Sequence, residues 1–230
     1  MKISEVKRQS KLSLKGNWGV AVLLTFIMFL LNFMLPFSIE MLISGGSSGV
    51  TVELNQAETP IATDVVSIII SIALIPLSVS VYWFYLSLVR KNNPQISHVF
   101  SIYKDGKTAF KVIGTSILQG IFIFLWSLLL IIPGIIKSLA YSQTFFILRD
   151  HPEYTVLKAI TESRKMMNGY KWKYFLLGLS FIGWGILCLF TLGIGFLWLV
   201  PYVSTSMATF YNQIIYSQDE NDTSDKAIIN

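Results

Sequence analysis

The chain has little of what most soluble chemistry requires. Among its 230 residues there are one cysteine and two histidines, and only 13% of residues are charged. The lone cysteine, Cys188, excludes an intrachain disulfide and any cysteine-based metal cluster. Set between Leu187 and Leu189, it reads as a small apolar residue. Neither His98 nor His151 stands in an H-E-x-x-H or H-x-E setting, which would place ligands on one helix face. No G-x-S-x-G, Walker or G-x-G-x-x-G string occurs, and the G-I-G at 193–195 sits between two apolar runs. These residues argue for no catalytic site, no metal and no cofactor, so the expectation is a protein that is not an enzyme.

Charge is scarce where apolar residues are abundant. A soluble domain carries about 25% charged residues; here 53% of residues are hydrophobic and the mean hydropathy is +0.59. The apolar residues fall in runs long enough to cross a hydrocarbon core of roughly 30 Å. Six spans can be drawn, over 18–42, 64–89, 109–132, 135–148, 174–190 and 196–216. The third and fourth are expected to turn at Pro133-Gly134, and the fifth and sixth at T-L-G-I-G, because proline and glycine end helices within a short connection. The run from Trp18 to Ile43 exceeds the roughly 7–15 apolar residues of a cleaved signal and is read as an uncleaved first span.

The basic residues orient these spans. All 18 except Lys137 precede the first span, lie between or at the edges of spans two and three, lie between four and five, or fall in the tail. Segment 43–63 has no lysine or arginine but carries Glu53 and Glu58. The positive-inside rule therefore puts both termini in the cytoplasm. It also assigns the net charge of +5 to a membrane surface with anionic headgroups, not to nucleic acid. The expected fold class is all-α, a polytopic membrane protein with six transmembrane helices as three hairpins. Residues 1–216 would form one membrane domain with 43–63 as an extracellular loop, and 217–230 an acidic, disordered cytoplasmic tail.

Three related strings, L-K-G-N-W-G at 14–19, K-D-G-K-T-A-F at 104–110 and M-N-G-Y-K-W at 167–172, precede odd-numbered spans. Before the first, Ile3, Val6, Ser10 and Leu14 share one helical face; before the third, Val156, Ile160 and Met167 do so. Asp150 with Glu153 resembles a capping box, and Pro152 suits a first turn. Each string reads as an elbow. A cytoplasmic, interfacial amphipathic helix with its apolar side in lipid is ended by Gly16, Gly106 or Gly169, and an aromatic anchor starts the next span. The residues expected at headgroups are Lys7, Arg8, Lys11, Lys15 and Trp18, then Arg164, Lys165 and Trp172. A threefold internal repeat and the general need for anchors account for the pattern equally well.

The strings S-L-K-G-N-W, I-I-P-G-I-I-K-S-L-A-Y-S-Q-T-F-F-I-L with D-H-P-E, A-I-T-E-S-R-K-M-M-N-G-Y-K-W, and the run from Phe181 to Tyr211 resemble the bacterial membrane family known as domain of unknown function 975. The resemblance implies a six-helix protein, mostly found in Gram-positive bacteria, with no agreed activity. That family is in turn distantly similar to membrane domains attached to some glycerophosphodiester phosphodiesterases, although this chain has no phosphodiesterase domain. Polar residues inside the spans leave a second functional reading open. Gln119, Lys137, Tyr141, Gln143, Tyr202 and Thr205 could line a polar cavity between spans three, four and six, with Lys137 near its outer mouth. The preferred reading of these groups is interhelical hydrogen bonding, worth roughly 0.6 kcal/mol each, with Lys137 reaching to the outer interface. The leading expectation is a non-enzymatic scaffold or accessory subunit engaging anionic lipid and a protein partner or a second copy of itself. The alternative is a small transporter or carrier of an amphiphilic molecule.

Overall fold

Apolar runs without period-2 alternation leave the backbone one way to satisfy itself in lipid, the helix. In the computed structural model, which describes residues 2–43 and 61–229, all regular structure is helical. The elements are α1 (Ile3–Leu14), α2 (Trp18–Phe29) continuing through a π-helical turn (Leu30–Met34) into α3 (Leu35–Ile43), then α4 (Ile61–Val89). There follow α5 (Ile96–Phe100) with a 3₁₀ turn (Ser101–Lys104), α6 (Gly106–Leu129), α7 (Ile131–Tyr141), α8 (Thr144–Asp150) and α9 (Val156–Met166). The last two are α10 (Lys171–Phe190) and α11 (Phe196–Ile229), so the backbone of the acidic end continues as helix. Most of the expected 43–63 loop lies outside the described residues.

Five segments are long and apolar enough to cross a membrane: Trp18–Ile39, Asp64–Val89, Gly106–Leu129, Ile131–Asp150 and Lys171–Phe190. Their outward faces carry large apolar residues such as Phe33, Leu128 and Phe190, as lipid contact requires. The start of α11 is not in this set because its residues include many hydroxyl and amide groups; it packs against α1, α2, α4 and α10. Its buried positions include Thr205, Ser206, Ala208 and Thr209. Small hydroxylated residues let helices approach closely, and these bond back to their own helix: Thr205 to the Pro201 carbonyl at 2.7 Å, Thr209 to that of Thr205 at 2.8 Å. The largest core cluster joins Leu24 of α2, Tyr85 of α4, Phe146 of α8 and Tyr211 of α11.

The short helices do not lie free on a membrane surface. The apolar face of α1 is the one expected, but Val6 and Leu14 are 0% exposed and pack on protein instead of lipid. Val6 meets Leu177, Phe181, Phe210 and Ile214, and the Ser10 hydroxyl donates to Thr209 Oγ1 at 3.1 Å. Near α5, Ile102 packs with Val79 and Trp83 of α4, and the Tyr103 hydroxyl donates to the Ala73 carbonyl at 2.6 Å. On α9, Ile160 packs with Ala140 and Tyr141 of α7 and with Leu118 and Phe122 of α6. Helix α9 thus covers the two long helices before it, while Ile102 packs on α4 before it and on Val112 of α6 after it. Helix α1 covers α10 and α11, the last pair in the chain.

Several local expectations are corrected. Gly16 and Gly169 do take left-handed backbone, with φ of 86° and 79°, but Gly106 is an ordinary first residue of α6. Asp105 sits at the cap position there, its carboxylate accepting from the Thr108 hydroxyl, so no left-handed glycine is needed. The turn between α6 and α7 falls at the extended Leu130, not at Pro133-Gly134. Pro133 lies in the first turn of α7, where its missing N–H costs nothing. Gly134 serves close packing, since a Cβ there would come 2.9 Å from the Ser127 Cα. Finally, α9 is capped by Thr155, which accepts from the Lys158 amide at 3.3 Å, and not by Asp150 and Glu153.

Candidate functional site

Arg90 directly follows α4 and Asp150 is the last residue of α8, two opposite charges brought together by helix packing. Arg90 donates to both carboxylate oxygens of Asp150, at 2.6 and 2.7 Å, and through Nε to Asn212 Oδ1 at 3.1 Å. The Tyr211 hydroxyl donates to the same carboxylate at 2.8 Å. Three helices, α4, α8 and α11, are thereby tied at one level. The cleft beside this network, about 410 Å³, is also bordered by His151, Tyr154, Glu162 and Lys165. Those groups are matched as well: Lys165 donates to Glu162 at 2.8 Å and His151 Nδ1 lies 3.2 Å from Glu153. The arrangement neutralises itself and holds helices together; it offers no nucleophile beside a base.

A different cavity, about 300 Å³, lies where α6, α7 and α9 meet. Each helix contributes residues three or four apart, which share a helix face. These are Phe122 and Trp126 from α6, Lys137 and Tyr141 from α7, and Leu157, Thr161 and Arg164 from α9. Lys137 Nζ stands 4.2 Å from the centre of the Trp126 ring, a cation–π contact that leaves the charge in place. No carboxylate lines the cavity, and Arg164 has no ion pair among the described residues. Lys137 is therefore not isolated from the other basic residues, as expected from charge counting, but shares a cavity with one of them.

The expected polar cavity of six residues does not form as one space. Lys137 and Tyr141 line the opening just described. Gln143 and Thr205 are 0% exposed and enclosed by protein. Gln143 occupies a break between α7 and α8: its amide N–H turns to Ser163 Oγ at 3.2 Å, and that hydroxyl donates to the Ala140 carbonyl at 2.9 Å. Ser163 of α9 thus splints the fourth membrane-length helix where its own ladder lapses. Tyr202 packs edge-on against Phe181 at 5.1 Å. The side-chain oxygens of Gln119 and Gln143 are buried without a hydrogen-bond partner among the described residues.

The residues expected at headgroups divide. Lys7 Nζ donates to the Ser180 carbonyl at 3.3 Å and lies 4.4 Å over the Phe181 ring. Ser180 is nine residues after Lys171, ~14 Å along α10, so Lys7 reaches well past the helix start. Burial pulls its pKa below the ordinary lysine value, and nearby Lys11 adds to that. Lys11 stands 5.6 Å from the Tyr202 ring. Arg8 forms a two-pronged pair with Glu5, at 2.6 and 2.9 Å, and Lys165 pairs with Glu162, so both are neutralised. Trp18 packs against the main core instead of standing free as an anchor. Trp172 is 67% exposed and stacks on Phe175, as an anchor would. Lys15 and Arg164 are exposed.

Sequence reasoning missed the Arg90–Asp150–Tyr211 network and the meeting of Lys137 with Arg164. The first left a partial signal, since Arg90 directly follows one apolar run and Arg149-Asp150 directly follow another. The second left none, because it depends on how α9 folds back. Among the described residues no three His, Cys, Asp or Glu side chains converge as metal ligands would. The family model described as "Protein of unknown function (DUF975)" matches residues 1–137 and 128–218. No curated protein and no solved structure matches the chain.

Proposed function

The chain belongs to the family of proteins of unknown function DUF975, and from that premise we propose a non-enzymatic, multi-pass protein of the cell membrane. It crosses the bilayer six times, α11 being the sixth and central span, and keeps both termini in the cytoplasm. There it acts as a scaffold or accessory subunit, engaging anionic lipid and a protein partner. The observation that carries this reading is how polar groups are used. The buried hydroxyls of Thr205, Ser206 and Thr209 in central α11 all donate to carbonyls of their own helix. The cations not neutralised by a carboxylate instead sit on or beside the short basic helices, as with Lys15 and Arg164. Such an arrangement suits attachment to headgroups better than a polar path across the bundle. A carrier for an amphiphilic molecule is the second reading, favoured by the cavity that holds Lys137 and Arg164.

Native mass spectrometry of protein extracted in its own lipid tests both. A reproducible protein companion with bound anionic lipid supports the accessory subunit. A single chain or homo-oligomer holding one discrete amphiphile supports the carrier, and a bare chain with unselected lipid refutes both. Topology is tested separately, in a Cys188→Ser background, with single cysteines at Ser47 and at the exposed Glu153. An impermeant reagent on intact cells should label only the first; labelling of the second alone would invert the orientation.

A further inference from the structure

We propose that the cavity between α6, α7 and α9 is a binding site for the phosphate of an anionic phospholipid, with Lys137 and Arg164 as its charge partners. The inference rests on the reading above only in taking α6 and α7 as membrane helices; the site itself follows from its lining. Two cations border one space of about 300 Å³ that no carboxylate borders. Lys137 is half-buried and Arg164 exposed at the edge of this space, and an anion entering between them is attracted by both. The rest of the lining points the same way. Tyr141 is 5% exposed, its hydroxyl has no hydrogen-bond partner among the described residues, and it lines the same cavity as a ready donor. Arg supplies a planar fork and Lys a point charge, the usual pairing around phosphate oxygens.

The ligand is amphiphilic because the wall is. Phe122, Trp126 and Leu157 border the cavity beside the cations, and Leu157 is 58% exposed, so an acyl or glycerol portion can leave along an apolar rim. Basic pockets between membrane helices can recognise phospholipid headgroups. A free phosphate ion would satisfy the cations but leave that rim unused.

The test uses the full chain in a mild non-ionic detergent, with thermal unfolding and native mass spectrometry as readouts. The probes are dihexanoyl phosphatidylglycerol and inorganic phosphate, each against sodium chloride of equal ionic strength. Saturable stabilisation by the lipid is expected, as for any ligand of the folded state. Lys137→Gln and Arg164→Gln should each weaken its apparent affinity about tenfold or more, the scale of one lost hydrogen bond to a charged group. Lys137→Arg should retain binding. Lys158→Gln removes a charge from α9 outside the cavity lining and should change affinity less than about twofold. Unliganded unfolding temperatures check that each variant folds. Equal stabilisation by inorganic phosphate, lost in the same variants, would keep the phosphate site but assign it to the free ion. No stabilisation beyond that of chloride, or equal losses in Lys137→Gln and Lys158→Gln, would overturn the proposal. If anionic lipid is still retained in that last case, the wider reading of the basic helices survives and only this cavity is excluded.

Discussion

Removing Asp150 should show how much the joint between α4, α8 and α11 contributes. In Asp150→Ala the Arg90 guanidinium loses both short bonds and keeps only the Asn212 amide, while the Tyr211 hydroxyl loses its acceptor. Breaking a fully buried pair from one side costs about 3–5 kcal/mol. The side chains here are 30% and 19% exposed, so water screens part of that, and about 2–3 kcal/mol is the working figure. Tyr211→Phe removes one bond to a charged acceptor and should cost about 1.5 kcal/mol. The decisive variant is the double replacement Arg90→Met/Asp150→Leu. Swapping both charges for apolar residues of similar size should recover most of the single-variant loss, because no stranded charge remains. The assay is reversible unfolding by sodium dodecyl sulfate in mixed micelles, followed by tryptophan fluorescence. Single variants within about 0.5 kcal/mol of the parent, or a double variant costing the sum of its singles, would refute the account.

Other outcomes follow from single contacts. Gly134→Ala should push α6 and α7 apart at Ser127 and lower stability by about 1–3 kcal/mol, read in the same micelle assay. Ser163→Ala should cost about 1–3 kcal/mol by leaving the buried Gln143 amide unpaired, and faster hydrogen exchange at Gln143 would report it. Burial lowers the Lys7 pKa, so between that value and the ordinary lysine range the unfolded chain binds more protons than the folded one. Stability attributable to Lys7 should therefore rise as pH climbs through this window, and Lys7→Met should be more stable than the parent near neutrality. The advantage should shrink above about pH 10; a difference independent of pH would exclude the linkage. Asp105 follows the same sign in the acid range. Thr108 holds its pKa below the ordinary aspartate value, so its support for the start of α6 should be lost on acidification through that lowered value. Thr108→Val should abolish that pH dependence in hydrogen exchange along α6.

Composition and hydropathy alone carried the class of this protein, because long helices in lipid need only length and apolar side chains. Five expected spans have counterparts among the helices long enough to cross, each within a few residues. The buried stripe of α1 was also legible, since Val6, Ser10 and Leu14 recur at helical spacing whatever they pack against. What they pack against was not legible. The same stripe suits lipid or protein, and only the docking of α1 on α10 and α11 decided between them. Gly134 looked like a turn residue because glycine is permissive; its actual constraint is the backbone of α6, distant in no sequence window but invisible without the crossing geometry.

The candidate site divides along the same line. That Lys137 is a charge within an apolar run, and Arg164 one of several basic residues on a short helix, is determined residue by residue along the chain. That the two border one cavity with Tyr141, while Gln143 is enclosed by protein, was decided by the tertiary structure. Hydropathy acts locally through each residue's preference for lipid or water. The meeting of two cations depends on α9 folding back over α6 and α7, a long-range packing arrangement that no local preference encodes.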